Sequence, residues 1–254
     1  MCGRYALTLP PEAVRAFFQY EERPNFPPRH NIAPTQPVPV VLRERGGDGE
    51  GRRHFLLAKW GFLPGFVKNP KDFPLVVNAR AETLADKPSF RNAFRRRRCL
   101  FVADAFYEWR RPPGGKGKGK ETLPAQPFLM RRRDGAPLAL AGLWEIWTGP
   151  NGEEVDTACV VTISANGAMA AIHDRMPVIL ERVDLEAWLD CDNENPSRAG
   201  ALMRPAAEDT LEFTPIGTAV NSVANDFPEL QTPIIPAEIP AEKPAVDLFG
   251  QPTG

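Results

Sequence analysis

Cys2 follows the initiator methionine, and a side chain this small at the second position normally allows Met1 to be removed, leaving a free α-amine and a thiol on one residue. In model compounds that amine titrates at about 7.7 and the thiol at about 8.5, so a useful fraction of each nucleophile exists at neutral pH. The amine condenses with an aldehyde to give an imine, and the neighbouring thiolate can add to the imine carbon and close a five-membered thiazolidine ring. An amine alone stops at the reversible imine. Such chemistry needs a proton shuttle. Glu108 closes the apolar run CLFVADAFYEW between Tyr107 and Trp109, where aromatic walls suit a carboxyl that gives and takes protons near neutrality. His173, in AAIHDRMPVIL, stands on a short turn before a strand with Asp174 and Arg175 beside it. Asn78, in PLVVNARAET, is an amide at the end of an apolar strand, followed at alternate positions by Arg80 and Glu82 on the same face. An amide there can orient a substrate hydroxyl.

Each residue also has a plainer role, since strand-end glutamates are commonly solvated and lone turn histidines commonly structural. The elements that position them decide the matter. Short apolar runs separated by turn signals dominate the chain: PVPVVLRER, HFLLAKW, PLVVNAR, CLFVADAFYEW, PFLMRRR, LALAGLWEIW, TACVVTIS, PVIL and LEFTPIGTAV all read as strands. GGDG, Asp134-Gly135 and Asn151-Gly152 mark hairpins between such runs. Helices are fewer. Thr8 with Pro10 and Pro11 opens one over EAVRAFFQ, where Val14, Phe17 and Phe18 repeat at helical spacing, and Asp184 is placed to cap LEAWL. The expected class is α+β, a single domain over 1–230 with a largely antiparallel, barrel-like sheet and a few flanking helices, followed by a Pro-rich tail over 231–254.

A chain of 254 residues, 43% of them hydrophobic, can bury one sizeable core. Lys and Arg number 31 against 32 Asp and Glu, so a polyanion must be held by a local patch and not by overall basicity. The arginine run at 95–98 and the Lys/Gly loop PPGGKGKGK at 112–120 are candidates, the run also reading as a solvated helix end. No stretch approaches the roughly 18 apolar residues of a membrane span, and MCGRYALTLP lacks the basic region and apolar run of a signal peptide. A cytoplasmic protein is expected, nucleoid-associated if bacterial. Cys2, Cys99, Cys159 and Cys191 lie far apart with no histidine at ligand spacing, so no metal site is expected. Cys99 and Cys159 read as core, and Cys191 carries no assigned role.

MCGRYAL, HNIAPTQ, WGFLPG, VNARAET, FYEW, IHDRMPVIL and AVNSVAND occur in this order between residue 2 and about residue 227. Together they resemble the signature blocks of the SRAP family, the abasic-site processing proteins first named SOS response-associated peptidases. The resemblance implies a barrel-like α+β domain with a basic groove for single-stranded DNA leading to the N-terminal cysteine. It implies Cys2 as covalent nucleophile, Asn78 as holder of the N-terminus and opened sugar, Glu108 as proton shuttle, and His173 as the residue assisting deoxyribose opening. It further implies Arg4 and Arg80 as phosphate contacts, Arg175 near the DNA backbone, and Asn31 shaping the pocket. Phe66 stands where paired tryptophans occur in a relative, as one smaller aromatic for stacking or wedging a base. The implied product is a thiazolidine DNA–protein crosslink, with associated lyase activity and reversal by the same groups, and no metal or organic cofactor is needed. A monomer is expected.

Two other readings stay open. A cysteine peptidase would use Cys2 and His173, with Asn78 or Glu108 orienting, and would turn over peptides or remove Met1 from itself. A non-catalytic nucleic-acid reader would bind in a salt-sensitive way with Cys2 incidental. In the tail, AVDLF at 245–249 resembles the acidic-Leu-Phe peptides that engage the replication sliding clamp, although a Leu-Phe pair docked on its own domain is the plainer account.

Overall fold

The computed structural model describes residues 2–44, 51–111, 124–192 and 195–235. Met1, the Lys/Gly loop, the GGDG turn and the 245–249 peptide lie outside the described residues. The first half of the chain supplies β1 (Tyr5–Leu7), α1 (Pro11–Phe18), β2 (Arg29–Ile32), β3 (Pro37–Arg43), β4 (Arg53–Trp60), β5 (Asn78–Arg80) and α2 (Pro88–Arg96). Next come β6 (Arg98–Ala103), β7 (Ala105–Arg110), β8 (Gln126–Arg132), β9 (Leu138–Thr148) and β10 (Glu154–Ser164). The remainder is α3 (Gly167–Ala170), β11 (Arg175–Pro177), β12 (Ile179–Leu180), α4 (Leu185–Leu189), α5 (Ser197–Leu202) and β13 (Leu211–Pro215).

The expected barrel is present and closed. β3 pairs antiparallel with β4 and β6, β6 with β9, and β9 with β10, and the ring closes where β10 runs parallel to β4 at Ala158 and Trp60. Beyond the end of β4, β5 takes over beside β10, with Asn78 opposite Val160 and Arg80 opposite Thr162. A second, wholly antiparallel sheet has the order β13-β8-β7-β1-β2. Every residue of β6 is buried, because barrel and flanking helices cover both of its faces. Gly142 in β9 marks the tightest interior approach: a Cβ there would meet the Phe101 ring at 2.7 Å and Cys99 Sγ at 2.9 Å. Cys99 and Cys159 are fully buried, as expected of core cysteines.

CLFVADAFYEW, read as one strand, is two. The chain turns at Asp104, so that β6 stays in the barrel while β7 enters the second sheet. Thr8, expected to open α1, instead donates to Asp104 Oδ2 from its backbone N–H at 2.7 Å and its hydroxyl at 2.6 Å, and pins that corner. Asp184 precedes α4 but its side chain makes no capping bond. Asp134-Gly135 joins β8 to β9, which lie in different sheets, so that turn is a crossover and not a hairpin. Gly135 and Gly152 both take positive φ, 71° and 83°, and only Gly152 closes a hairpin, between β9 and β10.

The arginine run turns partly inward. Arg98 is 2% exposed, and its guanidinium donates to the carbonyls of Phe94 at 2.5 Å and Trp188 at 2.6 Å, and to that of Asp190, tying the end of α2 to the end of α4. Arg97 pairs with Glu145 at 2.7 Å. Arg97 and Arg98, with Arg43 and Trp144, border a cavity of about 570 Å³, and Arg43 also pairs with Glu186, Asp190 and Asp192 at 3.2 Å each.

Candidate active site

Cys2 leads directly into β1, which lies between β7 and β2. The ladder pairs Tyr5 with Phe106, and the Tyr107 N–H donates to the Arg4 carbonyl at 3.0 Å. Carried one pair further, this register sets Gly3 opposite Glu108, so the sheet itself delivers the Cys2 segment to the carboxyl. Cys2 is fully buried and Glu108 is 4% exposed. Burial first, and then the Glu108 carboxylate, push the Cys2 thiol up to about 12. At neutral pH that thiol keeps its proton, the reverse of the lowered thiol that a cysteine nucleophile acting alone requires.

Asn78 is connected to this pair through aromatic packing. The Tyr5 ring meets Trp60 edge-on at 5.4 Å between centroids, and Trp60 Nε1 donates at 2.9 Å to the carbonyl of Val77, the residue before Asn78. Among the described residues neither amide atom of Asn78 has a hydrogen-bond partner, and neither has the buried Tyr5 hydroxyl. Buried polar groups are normally satisfied, so each of these atoms is open to a partner from outside the chain. Burial, followed by the nearby Cys2, raises the Tyr5 phenol well above its usual range.

His173 follows α3, its backbone N–H bound to the Met169 carbonyl at 3.0 Å. Its Nδ1 accepts from the Arg175 backbone N–H at 3.0 Å and lies 3.0 Å from Asp174 Oδ1. Arg175 is 9% exposed; it grips both carboxylate oxygens of Glu82, at 2.6 and 3.0 Å, and the Thr162 carbonyl at 2.6 Å. Arg80, on β5, is exposed.

Asn31 is fully buried and Arg4 half-buried, and the two hold each other. Arg4 Nη1 donates to Asn31 Oδ1 and to the Val220 carbonyl, both at 2.7 Å, and its guanidinium lies over the Trp109 ring. The Asn31 amide nitrogen holds the carbonyls of Ser222 at 3.0 Å and Asn225 at 2.7 Å. Trp109 Nε1 donates to Asn221 Oδ1 at 2.7 Å, and Asp226 accepts from Arg29 and from the His30 backbone. The AVNSVAND block is thus a loop fastened to β2 and β7. Phe66 is 62% exposed, its ring edge-on to Phe73 at 6.3 Å between centroids, on a loop anchored where Trp147 Nε1 donates to the Val67 carbonyl at 2.6 Å.

Four participants gave no functional signal in the sequence. The Tyr5 hydroxyl gave no signal, because a tyrosine in the run YAL looks like core. Asp226 and Trp109 lay inside quoted blocks without a role, and Glu82 was noted only for its strand face. Among the described residues, no group of three or more His, Cys, Asp or Glu side chains is placed to hold a metal ion, and no helix is long and apolar enough to cross a membrane.

A closed five-stranded barrel, joined to an antiparallel sheet that brings a second-position cysteine against a buried glutamate, defines a single-domain α+β protein with a cysteine–carboxyl site. The chain belongs to the family described as SOS response associated peptidase (SRAP), whose sequence profile matches residues 1–223. It is 33% identical over 233 residues to the abasic site processing protein YoqW of Bacillus subtilis, covering 91% of this chain and 98% of that one. It is 29% identical to the abasic site processing protein HMCES of Gallus gallus, covering 98% of this chain and 84% of that one. In fold it is similar to a crystal structure of a protein from Bacteroides thetaiotaomicron, with a TM-score of 0.76 at 20% identity, over 92% of this chain and all of that one.

Proposed function

We propose that this protein acts in DNA repair by processing abasic sites in single-stranded DNA, to which it attaches covalently through Cys2 once Met1 has been removed. The carrying observation is the placement of Cys2, fully buried at the second position beside the buried Glu108 carboxyl. A thiol so buried is a poor first nucleophile, so the α-amine opens the reaction. The amine adds to the sugar aldehyde and water leaves as the imine forms. The thiol then passes its proton to Glu108, sulfur adds to the imine carbon, and the nitrogen regains a proton as the thiazolidine closes. His173 assists opening of the deoxyribose ring to the aldehyde, and the Asn78 amide holds the opened sugar. Arg80, exposed on β5, and Phe66, projecting from its anchored loop, supply backbone charge and a stacking face. Arg4 and Asn31 shape the pocket through the loop they fasten. The names of the curated relatives support the same substrate.

Untagged protein incubated with single-stranded DNA carrying one abasic site, then denatured and weighed by mass spectrometry, tests the reading. A denaturation-resistant adduct with the mass of protein lacking Met1 plus DNA minus water is expected, and Cys2→Ala should not form it. Peptide turnover without any such adduct would favour the peptidase alternative.

A further inference from the structure

The neighbourhood of His173 contains a device that its own sequence block does not reveal. At Thr162, β10 has β5 on one flank, through Arg80, and β11 on the other, through Pro177. Glu82, just after β5, and Arg175, the first residue of β11, join over β10 in a two-pronged ion pair at 2.6 and 3.0 Å. The pair spans the strand that separates the Asn78 segment from the His173 turn. Arg175 is also held by the Thr162 carbonyl at 2.6 Å, so both of its terminal nitrogens are occupied and a phosphate would have to displace Glu82 to reach them.

We propose that Glu82 is a positioning residue for His173, clamping the Arg175 side chain so that the Arg175 backbone N–H stays against His173 Nδ1. With Nδ1 accepting at 3.0 Å, the neutral ring carries its proton on Nε2, the nitrogen that can deliver it to a ring oxygen. A rival acts on the same atom. Asp174 Oδ1 lies 3.0 Å from Nδ1 and would draw the proton there, but its side chain is 87% exposed and screened by solvent. The Arg175 N–H belongs to a strand paired with β10 at Ser164 and does not wander while the clamp holds. Loss of Glu82 leaves a buried guanidinium without its counter-charge, which pulls Arg175 outward, withdraws the N–H and hands Nδ1 to Asp174. Glu82 does what an orienting group behind a catalytic imidazole does, one residue removed.

This inference rests on the proposed role of His173 in opening the sugar, and its test separates the two. Untagged, full-length protein labelled with 15N-histidine reports the ring tautomer directly, the His173 signals being assigned by their loss in His173→Gln. The wild type should show the proton on Nε2, and Glu82→Gln should move a substantial fraction to Nδ1. In parallel, crosslinking is timed on single-stranded DNA carrying either a natural abasic site or an open-chain aldehyde. Glu82→Gln should be slowed about tenfold or more on the abasic site, by loss of an orienting group, and should run near the wild-type rate on the open aldehyde. An unchanged tautomer, or equal slowing on both DNAs, overturns the proposal. If Glu82→Gln does not fold, Glu82→Asp, which keeps the charge but falls one methylene short of a two-pronged grip, should show an intermediate tautomer shift; none would overturn the proposal. If the wild type forms no crosslink, the function proposed for the site falls, while the tautomer still decides the link from Glu82 to His173.

Discussion

Arg4 donates to Asn31 Oδ1 at 2.7 Å, so the residue two positions past Cys2 is fixed by an amide whose nitrogen simultaneously holds the 220–225 loop. Asn31→Ala removes one acceptor for Arg4 and the donor to the Ser222 and Asn225 carbonyls, while the Val220 carbonyl keeps its bond from Arg4. A stability loss of about 1–3 kcal/mol is expected, because a hydrogen bond to a charged guanidinium and two to backbone carbonyls are lost. Urea denaturation of the variant measures it, and a midpoint equal to wild type would show that the loop does not depend on Asn31.

The Cys2 thiol gives the fold a sensitivity to base. Its folded value of about 12 lies above the ordinary 9.0, so its contribution is complete below pH 9.0 and is lost as pH rises toward 12, where an unfolded chain binds fewer protons than the native one. The stability difference between wild type and Cys2→Ala should be flat below pH 9.0 and then decline by at most about 1.4 kcal/mol per pH unit. Cys159 and Tyr107, also raised by burial, are present in both proteins and cancel. A flat difference up to pH 11 would mean that the thiol is not held neutral.

Glu82 gives the opposite sensitivity. Hydrogen bonds from Arg175 pull its carboxyl from 4.5 to about 2, so its contribution is full above pH 4.5 and disappears as pH falls toward 2. The gap between wild type and Glu82→Gln, followed by thermal melting, should close over that window. Added salt should shrink the gap throughout, because the carboxyl is 45% exposed.

Phe66 is 62% exposed and its loop is anchored by its neighbours, so Phe66→Ala should leave the melting temperature nearly unchanged. Affinity for single-stranded DNA should weaken by about 1–3 kcal/mol if a base stacks on the ring. Fluorescence anisotropy with a labelled oligonucleotide at fixed salt reads this, and an unaltered affinity would remove Phe66 from the DNA path.

Gly142→Ala places a methyl within 2.7 Å of Phe101 and 2.9 Å of Cys99 Sγ, inside a closed barrel with no free edge to open. Overpacking of this kind costs about 1–3 kcal/mol. Chemical denaturation should show it, whereas Gly135→Ala, at a surface turn with no nearby atom, should lose stability only through its positive φ.

Strand content was legible because β6, β9 and β10 carry continuous apolar runs that only a doubly covered strand can use. Strand boundaries were less legible where a tertiary contact decides them. Nothing local in VADAF says that the chain changes sheet at Asp104; the cause is Thr8, 96 positions away. Cys2 and Glu108 could be paired in advance only through the block resemblance, since their meeting depends on which strand lies beside β1. The Glu82 clamp was hidden for a similar reason: its partner is 93 positions distant, across a strand that neither residue belongs to. The inward turn of Arg98 was invisible because composition cannot distinguish a guanidinium that caps carbonyls from one that meets solvent.

The place of β1 between β2 and β7 has a mechanical consequence. Anything tethered to Cys2 that is tugged along the chain direction loads β1 lengthwise, so the hydrogen bonds to both neighbouring strands bear the force together instead of parting one at a time. A strand held in this shearing geometry on both sides resists extraction far better than one peeled from a sheet edge. Since the Asp104 corner ties β7 straight into the barrel, strain arriving at the N-terminus passes into the closed barrel and not into a loop.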